Sequence, residues 1–180
     1  MTTLPTTLPT TLPTTLHMPT NQDLDPDQLR AAFGVFPSGV VAVAAEVDGR
    51  ATGLAASSFT SVSLDPPLVS FSIANTSRTW PDLRRAGHLG VTVLADHHGE
   101  VCRQLAGPVE HRFDDVPTTV SPDGAVTLDE GLARFDCTIH REVEAGDHTI
   151  VLLALHAVEQ TDTSLPLVFH RSGFGRMCEV

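Results

Sequence analysis

The sequence predicts a mainly β protein, an antiparallel β-barrel carrying a few peripheral α-helices. Three observations support this. Short apolar runs alternate with turn signals, residues around Cys137 alternate strictly between apolar and polar, and only two or three segments carry helical periodicity.

Residues 1–22 carry the unit TTLP three times in succession, a low-complexity Thr/Pro tract whose prolines prevent helix and central-strand pairing. It lacks the charged start and continuous apolar middle of a secretory signal. We expect a disordered tail over 1–22 and one folded domain over 23–180. Asp25 before Pro26 has the form of an N-cap followed by proline at the first helical position. Leu29, Ala32, Phe33 and Phe36 then recur with helical spacing, and Pro37 stops the helix. Residues 40–45 and 50–56 read as strands joined by a hairpin turn at Asp48-Gly49, and 68–73 as a third strand. Thr79-Trp80-Pro81 opens a second helix that Gly87 closes. A strand over 91–94 and a helix over 98–106, stopped by Gly107-Pro108, follow. The polar stretch 110–129, with Pro117, Pro122 and Gly124, is expected to pass over the surface. Strands over 135–139, 149–158 and 167–170 complete the barrel.

The chain has 180 residues, which suits one domain, and carries 22 acidic against 11 basic residues for a net charge of −11. A general attraction to nucleic acid or an anionic membrane is therefore not expected, and any anion must be held by a local site. With no tyrosine and Trp80 as the only tryptophan, the stacking surface of a single-strand nucleic-acid binder is missing. Cys102, Cys137 and Cys178 are scattered and odd in number, which fits a reducing cytoplasm better than a disulfide framework. No apolar run approaches the roughly 20 residues of a membrane span. Asp96, His97, His98, Glu100 and Cys102 lie close in sequence, but adjacent histidines on a helix diverge and no second ligand pair has zinc spacing, so no metal site is expected.

Two segments point to chemistry. Residues 51–73, ATGLAASSFTSVSLDPPLVSFSI, place small residues and hydroxyls between β-type stretches, as close backbone approach to a flat phosphorylated ligand requires. Gly146-Asp147-His148 places a titratable ring at the start of an apolar strand. Taken in order, Phe36-Pro37-Ser38-Gly39-Val40, then ATGLAASSFTSVSLDPPLV, then the Ser/Thr turn over 75–79, then Gly146-Asp147-His148, resemble the short-chain flavin reductases, the reductase components of two-component flavin-dependent monooxygenases. The resemblance spans about residues 29–174. It implies a split β-barrel homodimer that binds FMN or FAD and oxidises NADH or NADPH. The implied partner is a separate monooxygenase that receives the reduced flavin.

The residues themselves fit these roles. Gly53, Leu54, Ala55 and Ala56 offer backbone donors and close approach to the isoalloxazine ring, while Ser57, Ser58 and Ser61 reach toward the ribityl chain and phosphate. The same small-residue run also suits an ordinary tight barrel turn. Asn75, Ser77, Arg78 and Thr79 precede a helix start and form the preferred phosphate end, with Arg78 adding a charge-assisted bond. The resemblance assigns His148 to the nicotinamide, as the catalytic histidine that positions it, with Asp147 fixing the turn and the tautomer. It also places Ser38 and Phe169 at the flavin pocket. Ala55 departs from the family pattern, where threonine is common, so ring binding leans on backbone donors. Two other readings stay open from sequence: a tightly flavinated split-barrel oxidase or electron carrier, and a non-enzymatic flavin-binding module.

Overall fold

A computed structural model describes residues 24–162 and 164–177; the expected tail and Cys178 lie outside the described residues. Helix α1 (Pro26–Phe33) starts as its sequence demands, with the Asp25 carboxylate accepting the N–H groups of Asp27 and Gln28 at 2.9 Å each. It ends at Gly34, ahead of Pro37, and none of its residues is buried. Its apolar face projects outward, with Phe33 70% and the following Phe36 78% exposed.

Strands β1 (Ser38–Gly39), β2 (Val41–Val47) and β3 (Arg50–Ala56) follow. Asp48 and Gly49 both take positive φ, 52° and 74°, the geometry a two-residue hairpin turn requires. Then come β4 (Thr60–Leu64), β5 (Pro67–Ala74), α2 (Trp80–Leu83), β6 (Leu89–Val93) and α3 (Gly99–Leu105). The chain closes with β7 (Thr118–Val120), β8 (Val126–Leu128), β9 (Ala133–Ala145), β10 (His148–Gln160), β11 (Leu167–His170) and β12 (Gly173–Arg176).

Seven strands form one antiparallel sheet in the order β3-β2-β6-β9-β10-β5-β4. Val41, Val43 and Ala45 of β2 meet Val69, Phe71 and Ile73 of β5 and Val151 and Leu153 of β10 in one buried cluster. Strands that far apart in the order share a core only when the sheet rolls up, which makes the fold the split barrel expected, with β3 and β4 as its two edges. A second cluster, with Val40, Ala42, Leu94, Cys102, Leu105, Leu128 and Leu167, lies under α3, β8 and β11 on the outer face. That cover explains why residues 41–45 are all buried rather than alternating.

The stretch 110–129 does not simply cross the surface. It returns through β8 into the interior, with Ala125, Val126 and Leu128 at most 2% exposed, and Leu128 N–H donates to Thr92 Oγ1 at 2.9 Å. Prolines and glycine dominate its composition, but three apolar residues decide its path. Strands β1, β4, β7, β8 and β12 were not anticipated, and α2 is a single turn rather than a helix reaching Gly87. Among the described residues, no helix is long and apolar enough to cross a membrane, and no group of three or more His, Cys, Asp or Glu is placed to hold a metal.

His98 is buried, and its Nδ1 accepts the N–H of Ala95 at 3.1 Å, so this nitrogen carries no proton. Burial, aided by the His97 ring 4.2 Å away, lowers its pKa below the ordinary histidine value of 6.5. The unfolded chain therefore takes up this proton first on acidification. Stability from His98 is complete above about pH 6.5 and falls below it. Urea midpoints at about pH 7.5 and about pH 5.5 are expected to differ less in His98→Asn than in the parent. An unchanged difference would contradict the assignment.

Candidate active site

Pairing of β1 with β11 sets Ser38 opposite Phe169, and the turn after β3 brings Ser57 and Ser58 to the same place. These residues, with Phe33 and Phe36, line one cleft of about 780 Å³. That lies within the roughly 300–1,000 Å³ of small-molecule sites, and aromatic walls with a few hydroxyls suit a flat ring with a polyol tail. Ser58 Oγ donates to the Ser72 carbonyl at 3.1 Å and accepts the Ser72 N–H at 2.9 Å, tying the turn to β5. Ser57 remains exposed on the cleft wall.

The strand leading into this turn is an edge of the sheet, so backbone groups of β3 that face away from β2 are open to other partners, and the Gly53 carbonyl is taken by Arg112 Nη1 at 2.9 Å. Its side chains serve packing. Leu54 and Ala56 point into the barrel core, and Ala55 packs on the outer cluster. At Gly53 a Cβ would lie 2.6 Å from the Val43 carbonyl and 2.9 Å from the Phe113 ring, so only glycine fits. Ser61 is exposed on the other edge strand, opposite Val69, and is not among the residues lining the cleft.

The hairpin between β9 and β10 carries Gly146 at φ +69° and presents Asp147 and His148 at its tip. His148 Nδ1 lies 2.8 Å from Asp147 Oδ1. Because an ionised carboxylate only accepts, Nδ1 carries the proton and Nε2 is the free nitrogen. This hydrogen bond, ahead of the charge interaction with the same ring, holds the Asp147 pKa below the ordinary carboxylate value. Asn75, the first residue after β5, braces the same tip. Its N–H donates to the Asp147 carbonyl at 2.9 Å, its Nδ2 to the Gly146 carbonyl at 3.1 Å, and its Oδ1 accepts from Thr149 Oγ1 at 2.9 Å. The predicted phosphate turn and the predicted histidine turn are thus one hydrogen-bonded unit. Asn75 and Ser77 also line a hollow of about 350 Å³ beside it.

Around α2 the hydroxyls divide their tasks. Ser77 Oγ accepts the Trp80 N–H at 3.2 Å, and Trp80 Nε1 donates to Glu142 Oε1 at 2.9 Å. Thr79 is buried, and its Oγ1 accepts from Arg112 Nη1 at 2.9 Å rather than capping the helix. Arg78 is exposed and has no ion-pair partner among the described residues. A four-residue helix has little dipole to offer an anion, so the cationic character of this turn rests on its arginines. Arg112 was not anticipated. The available signal was a basic–aromatic pair, Arg112-Phe113, inside an otherwise acidic stretch.

A split barrel that carries a cleft of phenyl walls and hydroxyls and, on a separate hairpin, a histidine oriented by an aspartate has the features of an enzyme built around a flat, phosphorylated cofactor. Comparison with known proteins specifies which. The flavin reductase like domain family matches residues 33–177, and the chain belongs to that family. It is 39% identical over 153 residues to a flavin reductase of Pseudomonas putida, covering 84% of this chain and 90% of that one. It is 32% identical to the reductase subunit HsaB of a flavin-dependent monooxygenase of Rhodococcus jostii (strain RHA1), covering 84% and 77%. Among solved structures, the NADH:FAD oxidoreductase SgcE6 of Streptomyces globisporus C-1027, in complex with NAD and FAD fragments, superposes with a TM-score of 0.82 at 31% identity, covering 90% and 97%. The chain spans about half the length of the Rhizobium meliloti relatives it matches.

Proposed function

We propose that the protein is an NAD(P)H:flavin oxidoreductase that reduces FMN or FAD and supplies it to a separate flavin-dependent monooxygenase. The observation that carries this reading is the convergence of Ser38, Ser57, Ser58 and Phe169, from separate parts of the chain, on one aromatic-walled cleft. When bound, nicotinamide and flavin supply the redox chemistry, a hydride passing from C4 of one to N5 of the other. The chain's residues bind, orient and exclude water. Phe33, Phe36 and Phe169 offer flat apolar walls, Ser38 and Ser57 offer hydroxyls to the ribityl chain, and Arg78 offers a charge to the phosphate. In its neutral form, the His148 ring presents Nε2 as an acceptor, the polarity that the carboxamide N–H of nicotinamide needs. Asp147 and Asn75 hold that ring in place.

Two copies of the chain complete the site in this reading. Phe33, Phe36 and Leu64 are 70%, 78% and 96% exposed, and apolar groups of this size on a surface mark an interface. Sedimentation is expected to give the mass of two chains, and a single-chain mass would contradict the dimer. The cytoplasm is the compartment we favour, because Cys102 and Cys137 are free and buried, and burial pushes the Cys137 thiol up to about 12.

Steady-state oxidation of NADH and NADPH, with and without added FMN or FAD, tests the activity. Oxidation that depends on added flavin is the expected result. Flavin binding with no oxidation in any pairing would reduce the protein to a flavin-binding module. Flavin retained through gel filtration, with ping-pong kinetics, would instead make it a resident prosthetic group.

A further inference from the structure

We propose that Arg112 is a positioning residue for the flavin phosphate, acting through Thr79 to hold the phosphate turn in register with the cofactor-binding strand β3. The proposal rests on the flavin-reductase reading above and assigns a residue that the reading does not use.

The guanidinium is partly buried and fixed at three points. Its Nε donates to the Gly107 carbonyl at 3.0 Å, and its Nη1 donates to the Gly53 carbonyl and to Thr79 Oγ1, both at 2.9 Å. One side chain thereby joins β3, the turn over 75–79 and the loop after α3. The neighbouring Phe113 ring occupies the space a side chain at position 53 would need, so the pair Arg112-Phe113 is wedged against β3 from two directions. Because Arg112 uses the acceptor side of the Thr79 hydroxyl, the O–H of Thr79 is left as a donor.

The charge is not explained by this packing. Among the described residues neither Arg112 nor Arg78 forms an ion pair with a carboxylate, although the chain carries a net charge of −11. Burial, and then the nearby Arg78, lowers the pKa of Arg112, with Glu110 opposing from beyond ion-pair distance. Two neighbouring guanidinium groups with no carboxylate in ion-pair contact are costly to hold, and an anion beside them relieves the cost.

The test compares the affinities of FMN, FAD and riboflavin for the full chain carrying Arg112→Met, Arg112→Lys, Thr79→Val or Thr79→Ser, each checked for folding by circular dichroism. Arg112→Met is expected to weaken FMN and FAD on the order of tenfold or more while riboflavin changes less than about threefold. Arg112→Lys keeps the charge but not the three-point fork and is expected to fall between. Thr79→Val is expected to follow Arg112→Met and Thr79→Ser to follow the parent, which preserves the test should the arginine variants not fold. Equal losses for riboflavin and FMN in folded variants would make Arg112 a structural brace and overturn the proposal. A parent protein that binds no flavin would overturn the functional reading itself, and the proposal with it.

Discussion

Replacing His148 by alanine is expected to lower kcat/KM for reduced nicotinamide by on the order of 10- to 100-fold while flavin affinity stays within about threefold. The magnitude follows from what the ring does. Asp147 accepts the Nδ1–H hydrogen bond and Asn75 braces the turn from the end of β5, so the imidazole is held in one tautomer and close to one orientation. A side chain prepared in this way contributes by positioning a second reactant, and its loss falls on the step in which two cofactors must align. Stopped-flow reduction of flavin at varied nicotinamide concentration separates the effects. A variant with unchanged reduction kinetics would make His148 an ordinary turn residue. Equal loss of flavin binding would place it against the flavin instead.

Gly90→Ala is expected to destabilise the fold by about 3 kcal/mol or more, enough to make much of the protein insoluble. Gly90 lies buried in β6, where the backbone of β8 crosses it. A Cβ there would sit 2.0 Å from the Val126 carbonyl oxygen and 2.4 Å from its carbon. Both contacts are backbone, so relief requires moving a strand rather than turning a side chain. Gly99→Ala is the matched control. Nothing lies within 4 Å of its Cβ position, and it opens α3, where alanine is the better helix former. Urea unfolding of the two variants is expected to show a large loss for the first and none for the second. A loss of less than about 1 kcal/mol at Gly90 would mean that β8 gives way easily.

The fold was legible where periodicity and turn chemistry agree. Asp25-Pro26, Asp48-Gly49 and Gly146-Asp147 each fix a local geometry that holds whatever packs around it, and the elements beside them stand close to where the sequence puts them. Strand β8 was not legible, because Val126 and Leu128 are too few to show a period and their burial depends on Gly90 lying beneath them. β4 was missed for another reason. Its serines and threonine suit an exposed edge, and an edge strand has no apolar alternation to display.

The site was legible as motifs but not as a network. The hydroxyl-rich turn and Gly146-Asp147-His148 stood out because chemistry selects their residue types. That Asn75 binds the second turn rather than facing outward, or that Thr79 is buried under Arg112, depends on contacts between segments more than 30 residues apart. Such contacts leave no local signature. The exposed face of α1 carries the converse lesson. Helical spacing of Phe33 and Phe36 indicates an apolar surface, but only the fold shows that the chain's own barrel does not cover it.

The central claim is that this cleft brings reduced nicotinamide to flavin and then lets the reduced flavin go. Its most direct test is a single anaerobic turnover, in which protein, flavin and a slight excess of NADH or NADPH are mixed without oxygen while the flavin's visible absorption is followed. The mixture is then gel-filtered under the same conditions. Rapid bleaching that needs the protein, with reduced flavin eluting apart from it, is the predicted result. Bleaching no faster than in buffer, or reduced flavin that stays with the protein, would contradict the account.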